Sequence, residues 1–226
     1  DYSDAEFLAR KSTSGADLWG VNSKSVTKKI VEALDNYKVI DPACGSGAFP
    51  MGMLQLLLRT YERLLKSFDP YAIKLSIIEN SIFGVDIEPM AIEISRLRAW
   101  LSVIIDEPDK QNIQPLPNLD FKFVCANSLT SLSKGDDALF DDQELDKKLS
   151  EIRQKYFNAR VKTSKEIWQD KYYDLTTGKV QLGESVRSEQ LKSFDPFKVK
   201  SPATFFDSFF MFGVNKFDAV IGNPPY

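Results

Sequence analysis

Residues 223–226 read Asn-Pro-Pro-Tyr and directly follow a short apolar run that is typical of a β-strand. An exocyclic amine on a nucleobase is a poor nucleophile because its lone pair is delocalised, so a transferase must hold the N–H groups with acceptors. The side-chain oxygen of Asn223 and the carbonyl of Pro224 are two acceptors, held in fixed directions because proline restricts the backbone. The Tyr226 ring offers a stacking face for an extruded base. The motif, with Pro225, therefore predicts group transfer to a planar amine; a plain Pro-Pro turn is the alternative.

A glycine-rich turn lies between an apolar strand pattern and a helix pattern. Gly45 and Gly47 let the backbone approach a ligand where a Cβ would collide. The amides at the start of the following helix point toward the same place. Asp41, at the end of the predicted strand, adds a carboxylate that suits an ammonium group. The segment predicts a small-molecule site, although a purely structural tight turn explains the two glycines equally well by themselves.

The spacing of these residues argues against a dinucleotide site. That fingerprint needs a third glycine where this chain has Pro50, and its acidic residue should follow about 20 residues later. The next acidic residue at a strand end is Asp86, which lies much further along the chain. The sequence contains no phosphate-binding loop of the G-x-x-x-x-G-K-[ST] type, which disfavours nucleoside triphosphate chemistry.

Two further strand ends carry polar residues. Asp86 can accept hydrogen bonds from both hydroxyls of a ribose, and Ile87 can lie against an adenine ring; a capping or ion-paired aspartate is the alternative. Asn127 follows the apolar run at residues 121–125. Its side chain could bond the amine and a ring nitrogen of adenine, whereas a local Asn-Ser turn is the other interpretation.

Together, these blocks resemble the adenine-N6 DNA methyltransferases of the γ motif order, and especially the methyltransferase part of fused type II (type IIG-like) restriction-modification enzymes. The resemblance implies S-adenosyl-L-methionine as the methyl donor and adenine N6 in double-stranded DNA as the acceptor. It implies a catalytic role for the motif at residues 223–226. It implies a cofactor role for the matched residues Asp41, Ala43, Gly45, Gly47, Asp86, Ile87 and Asn127.

The chain departs from that family near its N-terminus. Where the family has an aromatic-Thr-Pro motif for the methionine end of the cofactor, this chain has a different sequence that includes Trp19 and Asn22. A cofactor role for these two residues rests on their position alone. Asn127 stands where some members of the family have aspartate, which keeps an acceptor but removes a charge.

The composition narrows the alternatives. The 226 residues carry a formal net charge of −3 and include no histidine, which argues against histidine-dependent hydrolases and zinc sites and predicts no metal. The two cysteines, Cys44 and Cys125, are expected to be reduced and partly buried. The sequence has no apolar stretch long enough for a bilayer and no signal-peptide pattern, so we expect a cytoplasmic protein without a membrane partner. The resemblance to restriction-modification enzymes implies a bacterial one.

Strand and helix patterns alternate along the chain. This alternation predicts an α/β fold with a mostly parallel sheet and helices on both faces, and the resemblance specifies a Rossmann-like S-adenosylmethionine-dependent methyltransferase fold with a helical insertion. Ligands of such sheets bind outside the carboxyl ends of the strands, where all of the motifs fall. We expect an N-terminal segment at 1–36, a cofactor-binding half-sheet at 37–129, a helical insertion at 130–216, and the fourth strand with the catalytic motif at 217–226.

Apolar residues at helical spacing predict the buried faces of the helices. For the helix after the glycine turn they are Phe49, Met53, Leu56, Leu57 and Leu64, and for the helix after Asp86 they are Ile94, Leu97, Leu101 and Ile104. The insertion is expected to pack around a phenylalanine cluster at 205–212. Its interleaved basic and aromatic residues are compatible with nucleic acid, but acidic residues are nearly as frequent, so a solvated helix face is the favoured interpretation.

The resemblance places the last strand in the middle of a larger sheet. We therefore expect the chain to be truncated after it, with a target-recognition domain and, in fused enzymes, an endonuclease domain elsewhere in the parent polypeptide. Two other functions remain open. Protein glutamine N5-methyltransferases use a similar Asn-Pro-Pro-Tyr motif on a planar amide, but their linker before the motif is short, whereas about 90 residues separate Asn127 from Asn223 here. Alternatively, the chain is a cofactor-binding module that is inactive by itself.

Overall fold

The computed structural model describes residues 24–107, 118–133, 143–159, 161–180 and 186–223. Five predicted site residues lie outside these ranges: Trp19, Asn22, Pro224, Pro225 and Tyr226. Within the described part of the chain, none of the helices is long and apolar enough to cross a bilayer.

Four short parallel strands form the sheet at the centre of the described structure. Their bounds are β1 (Val39–Asp41), β2 (Ile82–Asp86), β3 (Phe123–Cys125) and β4 (Ala219–Val220). They lie in the order β3-β2-β1-β4, and each neighbouring pair is parallel. β2 and β3 are thus added in turn on one side of β1, and β4 is added on the other side of β1. Together with the helices on both faces, this order confirms the predicted Rossmann-like α/β fold.

Side chains on successive strand positions point to opposite faces, and both faces are buried. On β2, Ile82 packs into one apolar cluster, while Phe83 and Val85 pack into another on the opposite face. On β3, Phe123 and Val124 divide between the two clusters in the same way. This two-sided burial explains why the strands read as continuous apolar runs.

The helices of the first face come from the N-terminal half of the chain. They are α1 (Lys24–Asp35), α2 (Ala48–Leu64), α3 (Pro70–Asn80) and α4 (Pro89–Ile104). The sequence analysis missed α3, although it has clear start signals: Pro70 occupies its first turn, and the Asp69 carboxylate accepts a hydrogen bond from the Ala72 amide at 3.2 Å. A proline also begins α4, after Glu88.

The predicted buried face is wrong in most positions of α4 and in two of the five positions of α2. On α4, Ile94, Leu97 and Leu101 are exposed, and the buried residues are Ile92, Ser95, Arg96, Ala99 and Val103. On α2, Leu57 is buried as expected, but Phe49 and Leu56 are exposed. Both helices carry apolar residues on more than one face, so spacing alone did not identify the side that packs on the sheet.

The second face of the sheet is covered by the chain that precedes β4. This segment contains α7 (Val186–Ser193) and α8 (Ser208–Phe212). Phe205 and Phe212 lie in one apolar cluster with Phe83 of β2 and Leu191 of α7. The phenylalanine cluster therefore packs α7, which lies within the predicted insertion, against the core of the sheet.

The predicted insertion also contains two longer helices, α5 (Gln143–Asn158) and α6 (Lys162–Val180). Residues of both helices pack against Phe121 in a third apolar cluster. Phe121 lies in the 3-10 turn Leu119–Phe121, just before β3. Tyr156 and Tyr172 are buried in this cluster, so these two aromatic residues of the insertion are core residues and do not offer stacking faces to nucleic acid.

A buried arginine ties α4 to β3. The Arg96 guanidinium donates to the Phe123 carbonyl from Nε at 3.2 Å and Nη2 at 2.8 Å, and its Nη1 lies 2.9 Å from Asp120 Oδ1. The Tyr156 hydroxyl donates to the other Asp120 oxygen at 2.8 Å. Burial, together with the Asp120 charge, raises the pKa of Tyr156. This network fixes the strand whose end leads to Asn127.

Candidate active site

The strand order brings the predicted motifs to one edge of the sheet. Because all four strands are parallel, Asp41, Asp86, Asn127 and Asn223 follow strand ends on the same edge. β2 and β3 lie on one side of β1, whereas β4 lies on the other, so the order of the strands reverses between β1 and β4. Open α/β sheets bind ligands in the crevice at such a switch point. The backbone beyond β4 is held there because the Ile221 amide donates to the Ile40 carbonyl at 2.9 Å.

The glycine-rich turn connects β1 to α2 and is anchored on β2. Gly45 and Gly47 have φ values of 53° and 82°, in the left-handed region where glycine carries no steric penalty. The Cys44 amide donates to the Val85 carbonyl at 2.9 Å, and the Gly45 amide donates to Asp86 Oδ2 at 2.7 Å. The loop and the acidic residue of the next strand therefore form one unit.

Both oxygens of the Asp86 carboxylate take part in local contacts. Oδ2 holds the Gly45 amide, and Oδ1 accepts from the Glu88 amide at 2.9 Å. These contacts hold the glycine turn and the turn before α4, whose N-cap is Glu88, so Asp86 itself does not cap the helix. Each carboxylate oxygen has a second acceptor direction, so a ribose contact is compatible with this geometry. The neighbouring Ile87 is exposed and leaves apolar surface beside the loop.

Ser95 is a site residue that sequence reasoning missed. It lies on α4, is fully buried, and donates from Oγ to the Gly45 carbonyl at 2.9 Å. A Cβ on Gly47 would come within 2.9 Å of the same Oγ, so Gly47 is required by the close approach of α4 as well as by its backbone conformation. The serine's position on a mainly apolar helix gave no signal, because its burial depends on the turn that packs over it.

Asp41 is buried at the tip of β1, with a relative exposure of 1%. Its Oδ1 accepts a hydrogen bond from the Ala43 amide at 3.1 Å. Burial raises the pKa of this carboxyl, the Ala43 hydrogen bond opposes the shift, and the nearby Asp86 charge adds to it. The Asp41 carboxylate is thus buried next to the glycine turn. A contact between this carboxylate and the ammonium group of a ligand stays a prediction.

The two cysteines lie close to this edge, are buried and are not disulfide-bonded. Burial, with the charges of Asp41 and Asp86, raises the pKa of Cys44 to about 12. Burial and the Asp86 charge raise the pKa of Cys125 to about 11. Both thiols are therefore neutral near pH 7 and serve packing. The described residues contain no cluster of side chains suited to a metal ion.

Asn127 forms a local turn in this structure. Its side-chain oxygen accepts a hydrogen bond from the Leu129 amide at 3.1 Å, and its own amide donates to the Ala203 carbonyl at 2.9 Å. The turn interpretation therefore describes the observed contact, and the proposed adenine contact stays a prediction. Asn223 is exposed at the end of the described chain beyond β4.

Comparisons with known proteins support a methyltransferase of a restriction-modification system. A family model described as Eco57I restriction-modification methylase matches residues 80–226. The chain is also 39% identical over 114 residues to a protein of Methanocaldococcus jannaschii that is named a putative type II restriction enzyme and methyltransferase. That match covers 47% of this chain, and the matched part spans only about 10% of the relative's length. Because the family match covers more than half of its residues, the chain belongs to the Eco57I restriction-modification methylase family.

Proposed function

We propose that this chain forms the methyl-donor site and the amine-holding edge of a DNA methyltransferase that uses S-adenosyl-L-methionine to methylate adenine N6 in a restriction-modification system. The family supports DNA methylation, and the M. jannaschii relative is named as both a restriction enzyme and a methyltransferase. The adenine specificity is supported by the Asn-Pro-Pro-Tyr sequence at residues 223–226.

The observation that carries the proposal is the junction between β1 and β2. Gly45 and Asp86 are joined by a 2.7 Å hydrogen bond, and β4 lies on the other side of β1. In this proposal the glycine turn, which would hold the methionine part, follows the strand next to β4, and the carboxylate that would hold the ribose lies at the end of β2, one strand further away. Among the described residues, a Cβ on Gly45 would meet no atom within 4 Å, so the turn has room for a ligand.

The residues have distinct tasks in this reaction. Asp86 would orient the donor through its ribose, and Ile87 would cover one side of the adenine ring of the donor. The side-chain oxygen of Asn223 would accept a hydrogen bond from an N–H of the target amine. This contact would direct the lone pair of the amine nitrogen toward the methyl group. When bound, S-adenosylmethionine supplies a methyl group whose carbon–sulfur bond breaks, with its electron pair left on sulfur, as N6 bonds the carbon and then loses a proton to water. Holding both reactants in line would supply most of the rate enhancement.

Calorimetry and methyl-transfer assays on the full-length protein test this proposal. We expect wild-type protein to bind S-adenosylmethionine and to label double-stranded DNA, with N6-methyladenine as the product in nucleoside mass spectrometry. Asn223→Ala should retain donor binding but lose methyl transfer, because the Asn223 side chain would bind the target adenine and not the donor. Asp86→Ala should weaken donor binding at least tenfold.

Three outcomes would contradict the proposal in different ways. Donor binding without transfer to any DNA would support a cofactor-binding module. Labelling of glutamine in a protein substrate, without DNA labelling, would support the alternative amide methyltransferase. An active Asn223→Ala variant would refute the role of Asn223 while leaving the donor site intact.

A further inference from the structure

Gly222 directly precedes Asn223 and lies against the tip of β1. A Cβ at this position would come within 3.2 Å of Asp41 Oδ1, 3.9 Å of its Cγ and 4.0 Å of Pro42 Cδ. Among the described residues, the glycines with positive φ are Gly45, Gly47 and Gly213. The backbone conformation at residue 222 is therefore open to other residues, and the close approach of Asp41 is what makes glycine necessary.

The Asp41 carboxylate has little room to move away from such a Cβ. It is 1% exposed, and its Oδ1 is held by the Ala43 amide at 3.1 Å. The backbone of β1 is fixed on both sides, because it pairs with β2 and with β4. An added methyl group must therefore disturb the Asp41–Ala43 hydrogen bond or displace the backbone that leads to Asn223.

We propose that Gly222 is a positioning residue that sets the spacing between the methyl-donor turn and Asn223 through its contact with the Asp41 carboxylate. The inference rests on the proposed function for the identity of the two sites. Neither sequence pattern nor family comparison assigned a role to Gly222. Because Gly222 lies against Asp41, the segment that leads to Asn223 is in contact with the residue that begins the glycine turn. A shift of the backbone at residue 222 would therefore also move Asp41.

The structure gives the size of the expected effect. A Cβ at 3.2 Å requires a shift of a few tenths of an ångström, and misplacement by about 1 Å can lower a rate about 100-fold. For Gly222→Ala we therefore expect roughly a tenfold loss in the single-turnover rate of methyl transfer. We also expect at least a threefold loss in affinity for S-adenosylmethionine without DNA, because the Asp41–Ala43 contact is disturbed.

A matched glycine provides the control. Gly52 lies on α2, and among the described residues no atom comes within 4 Å of a Cβ built there. Gly52→Ala should therefore leave donor affinity and transfer rate within twofold of wild type. Asn223→Ala provides a second comparison, since it should lower the transfer rate but leave donor affinity unchanged.

A double-mutant cycle isolates the contact. Asp41→Ser removes the carboxylate that the new Cβ would meet, so adding Gly222→Ala to the Asp41→Ser background should change donor affinity and thermal stability by much less than in wild type. Equal effects of Gly222→Ala in the two backgrounds would overturn the proposal, as would unchanged donor affinity in the single variant.

The cycle remains informative when a variant does not fold or does not bind the donor. An unfolded Gly222→Ala variant and a folded Asp41→Ser/Gly222→Ala variant would support the contact, whereas loss of folding in both would refute it. If Asp41→Ser abolishes donor binding, the test is the change in thermal stability that Gly222→Ala causes in each of the two backgrounds: a smaller change in the Asp41→Ser background supports the contact, and equal changes refute it. An inactive wild-type protein with a non-additive stability cycle would refute the proposed function but retain the contact, and an active wild-type protein with an additive cycle would do the reverse.

Discussion

Replacing Arg96 with methionine should strongly destabilise the protein. The guanidinium is buried between α4 and β3, where it donates to the Phe123 carbonyl through Nε and Nη2 and forms an ion pair with Asp120 at 2.9 Å. Methionine fills much of the same volume but leaves the buried Phe123 carbonyl without the guanidinium donor and removes the charged partner of Asp120, whose side chain is 19% exposed and keeps its hydrogen bond from Tyr156. Loss of one partner of a buried ion pair costs about 3–5 kcal/mol, a large share of the roughly 5–15 kcal/mol that stabilises a typical domain.

Urea denaturation monitored by circular dichroism measures this change as a lower free energy of unfolding. The matched control is Arg98→Met on the same helix, because the Arg98 side chain is exposed and should change stability by less than about 0.5 kcal/mol. The exposed Glu93, which also lies 3.3 Å from Arg96, is expected to contribute little. A loss below about 1 kcal/mol for Arg96→Met, or equal losses for the two variants, would refute the assignment of this network as the tie between α4 and β3.

Two further substitutions test the donor site itself. Ser95→Ala removes the hydroxyl that donates to the Gly45 carbonyl, so calorimetry should show weaker donor binding and urea denaturation a loss of about 1–3 kcal/mol; Ser102→Ala, whose hydroxyl bonds within its own helix, should show neither, and equal losses would contradict the role of Ser95. Because burial raises the pKa of Asp41 in the folded state, stability falls as pH rises from the unfolded value to the folded one and remains lower above it. Asp41→Asn should therefore raise the free energy of unfolding at pH 7.5, lose this advantage at pH 3, and weaken donor binding; lower stability than wild type at pH 7.5 would contradict the argument.

The strands and their end residues could be predicted because short apolar runs followed by glycine or acidic residues are a local signal. The runs that end at Asp41 and Asp86 correspond to β1 and β2, although β4 is shorter than its run. The pairing of β4 with β1 depends on contacts between distant parts of the chain. The resemblance predicts only that this strand lies in the middle of a larger sheet, and the pattern of residues does not identify its partner.

The buried face of α4 shows where sequence reasoning failed. The regular stripe of Ile94, Leu97 and Leu101 is 37–49% exposed, whereas Ser95 and Arg96 are buried. The two polar residues are buried because partners across the fold satisfy them: Ser95 bonds the glycine turn, and Arg96 bonds β3. Neither partner lies nearby in sequence, so helical periodicity could not reveal it. The contact between Gly222 and Asp41 was missed for the same reason.

A crystal structure of the full-length protein with S-adenosylhomocysteine and an adenine-containing DNA duplex would test the central claim most directly. We expect the ribose hydroxyls to lie within hydrogen-bonding distance of the Asp86 carboxylate, the glycine turn to contact the homocysteine part, and the amine of an extruded adenine to face the Asn223 side chain. A ligand bound in another cavity, or an adenine held far from Asn223 while the donor occupies the turn, would contradict the account.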